Sequence, residues 1–336
     1  MLPLNSYKTT SRRNMMETQL NELKGNAVSI VGTLESKDLS LDKDKQGNDI
    51  VKGLVRVQVK NGNKVNSFVL NVYNKKFTNA GKENKLYNGI VTVMNEYKSI
   101  EETGSEETAD RVSVNADLSY NIYAKDGNIM ENNRLRASTF HRVNGNPSAK
   151  DQAIGQITAV IDSYADEEDS NGNPTGKTLV NAFTVGYNGR VGKIMKLKVA
   201  GDLSEQMQSF FPTGSTGVLS YDLFNYVIVE EQSVDNNSSS FGEIHEVVQR
   251  KSYVNELLIS GGEMLKNEEE ALDEDQINAA KVALRKQKTE ALSNDTQSVT
   301  HKTGFGSAKP KSESNSSDPF ANAGGSIDIT DDDLPF

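Results

Sequence analysis

Residues 50–74 read Ile50-Val51-Lys52-Gly53-Leu54-Val55-Arg56-Val57-Gln58-Val59-Lys60-Asn61-Gly62-Asn63-Lys64-Val65-Asn66-Ser67-Phe68-Val69-Leu70-Asn71-Val72-Tyr73-Asn74. Their period of two marks strands with one apolar and one polar face. Val51, Val55, Val57 and Val59 point one way, and Lys52, Arg56, Gln58 and Lys60 the other. Phe68, Leu70 and Val72 then face the core, leaving Val69, Asn71 and Tyr73 outward. Asn61-Gly62 is a strong short-range turn signal, so the stretch folds on itself as a hairpin.

Working outward, residues 27–34 form an apolar-rich strand, and the loop 42–48 leads into the hairpin. Residues 75–88 are a helix or loop, 90–97 read as a strand and 101–107 as an acidic loop. Two further strands, 111–124 and 132–143, join through Asp126-Gly127-Asn128. Five or six short strands separated by turn signals predict a small antiparallel barrel over 26–145. On the last strand, alternation places Arg134, Arg136, Ser138, Phe140 and Arg142 on one face.

After Asn144-Gly145-Asn146-Pro147-Ser148, a second strand-rich unit spans 151–262. It holds strands at 153–164, 177–187, 190–200 and 217–230, a short helix at 202–210, a polar loop at 235–240 and a last segment at 242–260. Asn188-Gly189 predicts another two-residue hairpin turn. The order loosely repeats the first unit, so the expected fold is mainly β: two tandem OB-fold-like antiparallel barrels. A short N-terminal helix is expected within residues 1–25, with Met16, Leu20 and Leu23 on one face. A charged helix follows at 263–292, then a disordered Ser/Asn/Gly/Lys linker at 293–325 and an acidic tip at 326–336.

The 336 residues include no Cys, no Trp and three His, so neither disulfides nor a Cys/His zinc site can form. No cofactor or metal is expected. The sequence shows no membrane-length apolar run and no signal-peptide core, which predicts a soluble, cytoplasmic protein. The net charge of −10 is unevenly spread. Residues 1–150 carry 22 Lys+Arg against 17 Asp+Glu, a net of +5, whereas 151–262 are −8 and 263–336 are −7. Local patches decide nucleic-acid binding, which makes the first unit the electrostatic candidate.

Two motifs fail on inspection. Gly172-Asn173-Pro174-Thr175-Gly176-Lys177-Thr178 lacks the leading glycine of a phosphate loop, since position 171 is Asn, and is read as a hairpin loop. Asp42-Lys43-Asp44 begins like a calcium loop, but the required acid falls on Gly53. No nucleophile–base pair or two-metal spacing stands out, so no enzyme is expected.

The chain ends Asp331-Asp332-Asp333-Leu334-Pro335-Phe336 behind a polar linker. This ending, with the strand order of 26–145, resembles bacterial and phage single-stranded DNA-binding proteins (SSBs). The resemblance implies a non-catalytic protein that coats and protects single-stranded DNA in replication, recombination or repair. It also implies a tip that recruits replication and repair enzymes and competes with DNA for the protein's own basic groove. A phage or mobile element is the implied source. Cations interleaved with rings suit phosphate tracking and base stacking, which makes Lys52, Arg56, Lys60, Tyr73, Arg134, Arg136, Phe140 and Arg142 the candidate DNA contacts. A thinner second set is Tyr187, Arg190, Lys193, Lys196 and Lys198. Asp331, Asp332, Asp333, Leu334, Pro335 and Phe336 are the candidate partner-binding residues. Family members often stack bases on Trp, so here Tyr and Phe must substitute. Two barrels in one chain leave a monomer and a homo-oligomer both open. A competing reading is an OB-fold adaptor that uses an SSB-like tail to engage host replication proteins.

Overall fold

A computed structural model describes residues 20–169, 171–236, 244–265 and 270–302, with backbone alone over 230–236, 244–249 and 295–302. Strands β1 (Ala27–Lys43), β2 (Asp49–Asn61) and β3 (Lys64–Lys75) form an antiparallel meander. Val51, Val55, Val57 and Val59 are buried with Phe68, Leu70 and Val72, as the alternation predicts. Asn61 pairs with Lys64, so the turn residues are Gly62 and Asn63, one position later than expected. Gly62 takes φ +57, the left-handed conformation a primed hairpin turn needs at its first central position. Gly53 has φ +147, and a Cβ there would lie 1.9 Å from the Asp38 carbonyl oxygen. Its lack of a side chain lets β1 approach β2.

Of residues 90–97, expected as a strand, 90–96 belong instead to helix α1 (Lys85–Glu96) and Tyr97 is its C-cap. Asn84 caps it by accepting from the Leu86 N–H, and Tyr87, Ile90 and Val93 are buried at helical spacing. A short helix α2 (Ile100–Thr103), closed by a Ser99/Glu102 capping box, occupies part of the expected acidic loop. Strands β4 (Arg111–Lys125) and β5 (Asn128–Arg142) join through Asp126 and Gly127, both at positive φ (52° and 76°) as in a type I′ turn. β4 pairs with β1, and β5 meets β3 in parallel at Leu70↔Leu135 and Asn71↔Arg136. These pairings close the first five strands into a ring.

The second half contains β6 (Gln152–Glu168), β7 (Pro174–Val185), β8 (Val191–Ile194), β9 (Leu197–Ala200), α3 (Gly201–Phe210), β10 (Thr216–Asn236) and β11 (Ile244–Met264). Pairings run β6–β7, β7–β9, β9–β11 in parallel, β11–β10 and β10–β6. β6 also pairs with β1, so all eleven strands belong to one sheet and the two halves share a hydrogen-bonded ladder. The Gly172–Thr178 segment lies at the β6–β7 hairpin, where Glu168 pairs with Pro174. Residues 190–200 are not one strand, because Lys196, at φ +61, turns the chain between β8 and β9. The expected two-residue turn at Asn188-Gly189 is a longer connection with a single 3₁₀ turn, Tyr187–Gly189.

Residues 20–24 are not helical. The Leu23 N–H donates to the Val185 carbonyl at 2.7 Å, and its side chain is buried beside Phe183, Val191 and Leu284. Helix α4 (Glu274–Lys302) starts later than the expected 263 and continues into the segment expected to be disordered. Its Leu284 enters the same cluster, Gln287 donates to the Val191 carbonyl, and the Lys288 Nζ reaches Glu131 at 2.9 Å. The rest of the expected N-terminal helix, the remaining linker and the tip 326–336 lie outside the described residues.

Candidate nucleic-acid interface

The alternation that buries the valines of β2 turns Lys52, Leu54 and Arg56 outward. Across the ladder, Lys52 stands opposite Tyr73, Leu54 opposite Asn71 and Arg56 opposite Val69. The parallel pairing sets Arg136 beside Asn71, with Arg134 two positions earlier on the same side. Five first-unit candidates (Lys52, Arg56, Tyr73, Arg134 and Arg136) thus share one outward face of β2, β3 and β5. Tyr73 is 50% exposed, and Leu54 offers apolar surface between the cations. Lys52 pairs with Asp42 at 2.5 Å, holding that carboxyl below its ordinary value, and Arg136 pairs with Asp117 at 2.9 Å. Exposed pairs of this kind contribute little and can exchange for a phosphate. Arg56 and Arg134 have no carboxylate partner among the described residues.

Phe140 and Arg142 depart from the expected face, while Lys60 keeps the alternation of β2 but is engaged near the strand's end. Asn115 pairs with Thr139 but Ala116 pairs with Ala137, which leaves Ser138 as a bulge and reverses the alternation beyond it. Phe140 therefore stands opposite buried Val114 and packs against the core. The Arg142 guanidinium lies 4.3 Å from the Tyr97 ring centroid and 3.0 Å from Asp110. Burial alone would raise the Asp110 pKa, but hydrogen bonds from the Lys98 backbone, Asn144 and Arg142 outweigh it and hold the carboxyl low. Lys60 pairs with Glu106 at 2.6 Å, and its backbone N–H donates to Asp151.

The shared face opens into a cleft of about 640 Å³ between the ring and the second half. Leu54, Val69, Asn71 and Arg134 line one wall, and Met195, Lys196, Phe224 and Asn255 the other. Asparagines clamp both sides. Asn225 donates its backbone N–H to the Asn66 side chain at 2.9 Å and its amide to the Ser67 carbonyl at 2.5 Å. Asn133 donates to the Lys193 carbonyl at 2.8 Å and accepts from the Met195 N–H at 2.5 Å. The two carboxylates in the lining are already neutralised. Glu131 accepts from Tyr120 and Lys288 with Lys193 3.6 Å away, and Glu256 pairs with Lys177 at 2.5 Å and Lys198 at 2.8 Å.

Those ion pairs decide the second set of candidates. Lys198 is 13% exposed and bound to Glu167 and Glu256, so it is a structural cation rather than a surface contact. Lys193 is held by Glu131. Lys196 is exposed at the cleft, while Tyr187 and Arg190 sit exposed around the 3₁₀ turn before β8. Sequence reasoning passed over Leu54, Asn71, Phe224, Asn225 and Asn255, and also the Lys64 ammonium, which lies 4.6 Å from the Tyr226 ring centroid. Alternation marks Phe224 and Tyr226 as outward residues of β10, but nothing local shows that β10 lies against β3.

Among the described residues, no group of three or more His, Asp or Glu is placed to hold a metal ion, and no helix is long and apolar enough to cross a membrane. A five-stranded ring with a helix between its third and fourth strands is the arrangement of an OB-type barrel, and here it stands in a mainly β chain with a single extended sheet. The chain belongs to the YorF family, which it matches over residues 24–320.

No curated protein matches the sequence. Among solved structures, a deletion mutant of the single-stranded DNA binding protein from Thermus aquaticus is similar at 13% identity and TM-score 0.42, covering 72% of this chain and 95% of that one. The wild-type Thermus aquaticus protein gives 13% identity and TM-score 0.39, over 72% and 93%. The mitochondrial single-stranded DNA binding protein Rim1 from S. cerevisiae gives 14% and 0.24, over 36% and 97%.

Proposed function

We propose that the chain is a non-catalytic single-stranded DNA-binding protein. The observation that carries this reading is the shared face: Lys52, Arg56, Arg134 and Arg136 surround Tyr73 and Leu54 on one side of the ring, and that side runs into a preformed cleft. Cations spaced along a strand face track phosphates, and an exposed ring stacks an unpaired base at about 1–3 kcal/mol. The second half, read as a diverged repeat of the first ring, supplies the far wall of the cleft. On this reading the protein coats and protects exposed DNA in a bacterial cytoplasm. The acidic tip Asp331–Phe336 then recruits replication or repair proteins through its carboxylates and terminal ring.

Fluorescence titration with a dT oligomer at moderate and high salt tests the reading. Binding that weakens steeply with salt supports it. No binding at either salt overturns it in favour of the adaptor reading.

A further inference from the structure

The cleft between the ring and the second half is lined by amides as well as by cations, and two of its five asparagines are accounted for. Asn225 and Asn133 are spent holding the walls together. Three others line the same space with hydrogen-bonding capacity left over. Asn71 donates weakly to the Leu135 carbonyl at 3.3 Å, and its side-chain oxygen has no partner among the described residues. The Asn132 oxygen accepts from Asn121 at 3.2 Å, and its amide nitrogen has no partner among the described residues. Asn255 is exposed, and its amide has no partner among the described residues. Phosphate tracking calls for cations and stacking calls for rings; neither uses a neutral donor–acceptor pair. A planar amide that offers one donor beside one acceptor is the group that reads a base edge, and asparagine does so bidentately on adenine.

We propose that this cleft is a base-reading site, in which an unstacked base enters between Leu54 and Phe224 while Asn71 and Asn255 hydrogen-bond its edge, with adenine preferred. The inference rests on the single-strand-binding reading and adds to it: the protein discriminates among bases instead of binding all of them alike. The clamps make discrimination physically reasonable. Walls fixed by four hydrogen bonds hold the free amides in place, so a base lacking the complementary edge leaves them unpaired.

The test is a competition between oligo-dT and an oligomer of the same length with isolated adenines replacing thymines at regular intervals. Isolated adenines avoid the self-stacking of a dA run. The adenine-bearing oligomer is expected to bind about tenfold tighter, the low end of a bidentate base contact. Asn255→Ala, which removes no side-chain bond among the described residues, is expected to bring the ratio close to one, and Asn71→Leu to lower it. Equal affinity of the wild-type protein for the two oligomers would overturn base reading and leave single-strand binding standing. So would a preference that survives Asn255→Ala and Asn71→Leu together. Failure of both oligomers to bind would overturn the single-strand reading, and this inference with it.

Discussion

Lys52 and Tyr73 stand opposite each other in the β2–β3 ladder, a cation and an exposed ring on one side of a strand pair. Their neighbourhood follows from the pairing register, which a shift of one residue would send to the other side of the sheet. Tyr73→Ala should weaken oligo-dT binding by about 1–3 kcal/mol with little change in thermal stability, because the ring is half exposed and lies outside the buried core. Unchanged affinity in a fluorescence titration would remove Tyr73 as a stacking platform.

Arg56 gives a different signature. It has no carboxylate partner among the described residues, so its removal costs no ion pair. Arg56→Ala should weaken binding uniformly across sequences and reduce the slope of log affinity against log salt by about one. A salt series on the variant and the wild type reads this directly.

Phe140 should behave as a core residue. Opposite Val114 and half-buried, its truncation should cost about 2 kcal/mol in denaturant unfolding while leaving oligo-dT affinity intact below the transition. A loss of affinity without a loss of stability would mean the ring reaches the outer face after all.

Gly53 tests the seating of β1 on β2. At φ +147, with the Asp38 carbonyl where a side chain would begin, Gly53→Ala is both strained and obstructed. A loss of roughly 2–4 kcal/mol, read as a lowered melting temperature, is expected.

Acid should loosen the second half through Glu256. Burial on its own would raise this carboxyl's pKa, but hydrogen bonds from Lys177 and Lys198 outweigh it and hold the value below the ordinary 4.5. The folded protein therefore binds this proton more weakly than the unfolded chain does. The resulting stabilisation is complete above about pH 4.5 and is lost as pH falls through the lowered folded value. Melting temperatures of the wild type should drop faster below pH 4.5 than those of Glu256→Gln. Parallel curves would remove Glu256 as a contributor.

The tip supplies a further test of the proposed division of labour. Deleting Phe336 should leave oligo-dT affinity intact or slightly raised and abolish capture of a replication or repair protein. Loss of DNA binding on that deletion would contradict the proposal.

The parts of the fold legible in sequence were those with a strict local period. The valines of β2, the opposing Phe68, Leu70 and Val72, and the Asp126-Gly127 turn all sit where alternation and turn chemistry put them. Residues 90–97 misled because Ile90-Val91-Thr92-Val93 is β-branched, and tertiary burial of Tyr87, Ile90 and Val93 overrode that propensity. The Asn84 cap was the available signal. The bulge at Ser138 left no local trace, so Phe140 and Arg142 were assigned to a face they leave. The cleft was illegible for another reason. Asn225 meets Asn66 across 159 residues, and no local pattern encodes such a contact.

The ring is sealed between β3 and β5 by just two paired positions, Leu70↔Leu135 and Asn71↔Arg136, while its other joints run much longer. Leu135 and Asn71 also line the cleft, and the Asn71 amide bridges to the Leu135 carbonyl. The cylinder's shortest seam thus lies under the place where a ligand would rest. Anything seated there would act as a latch, so amide exchange at Leu135 and Asn71 would report occupancy before any strand further round the barrel responded.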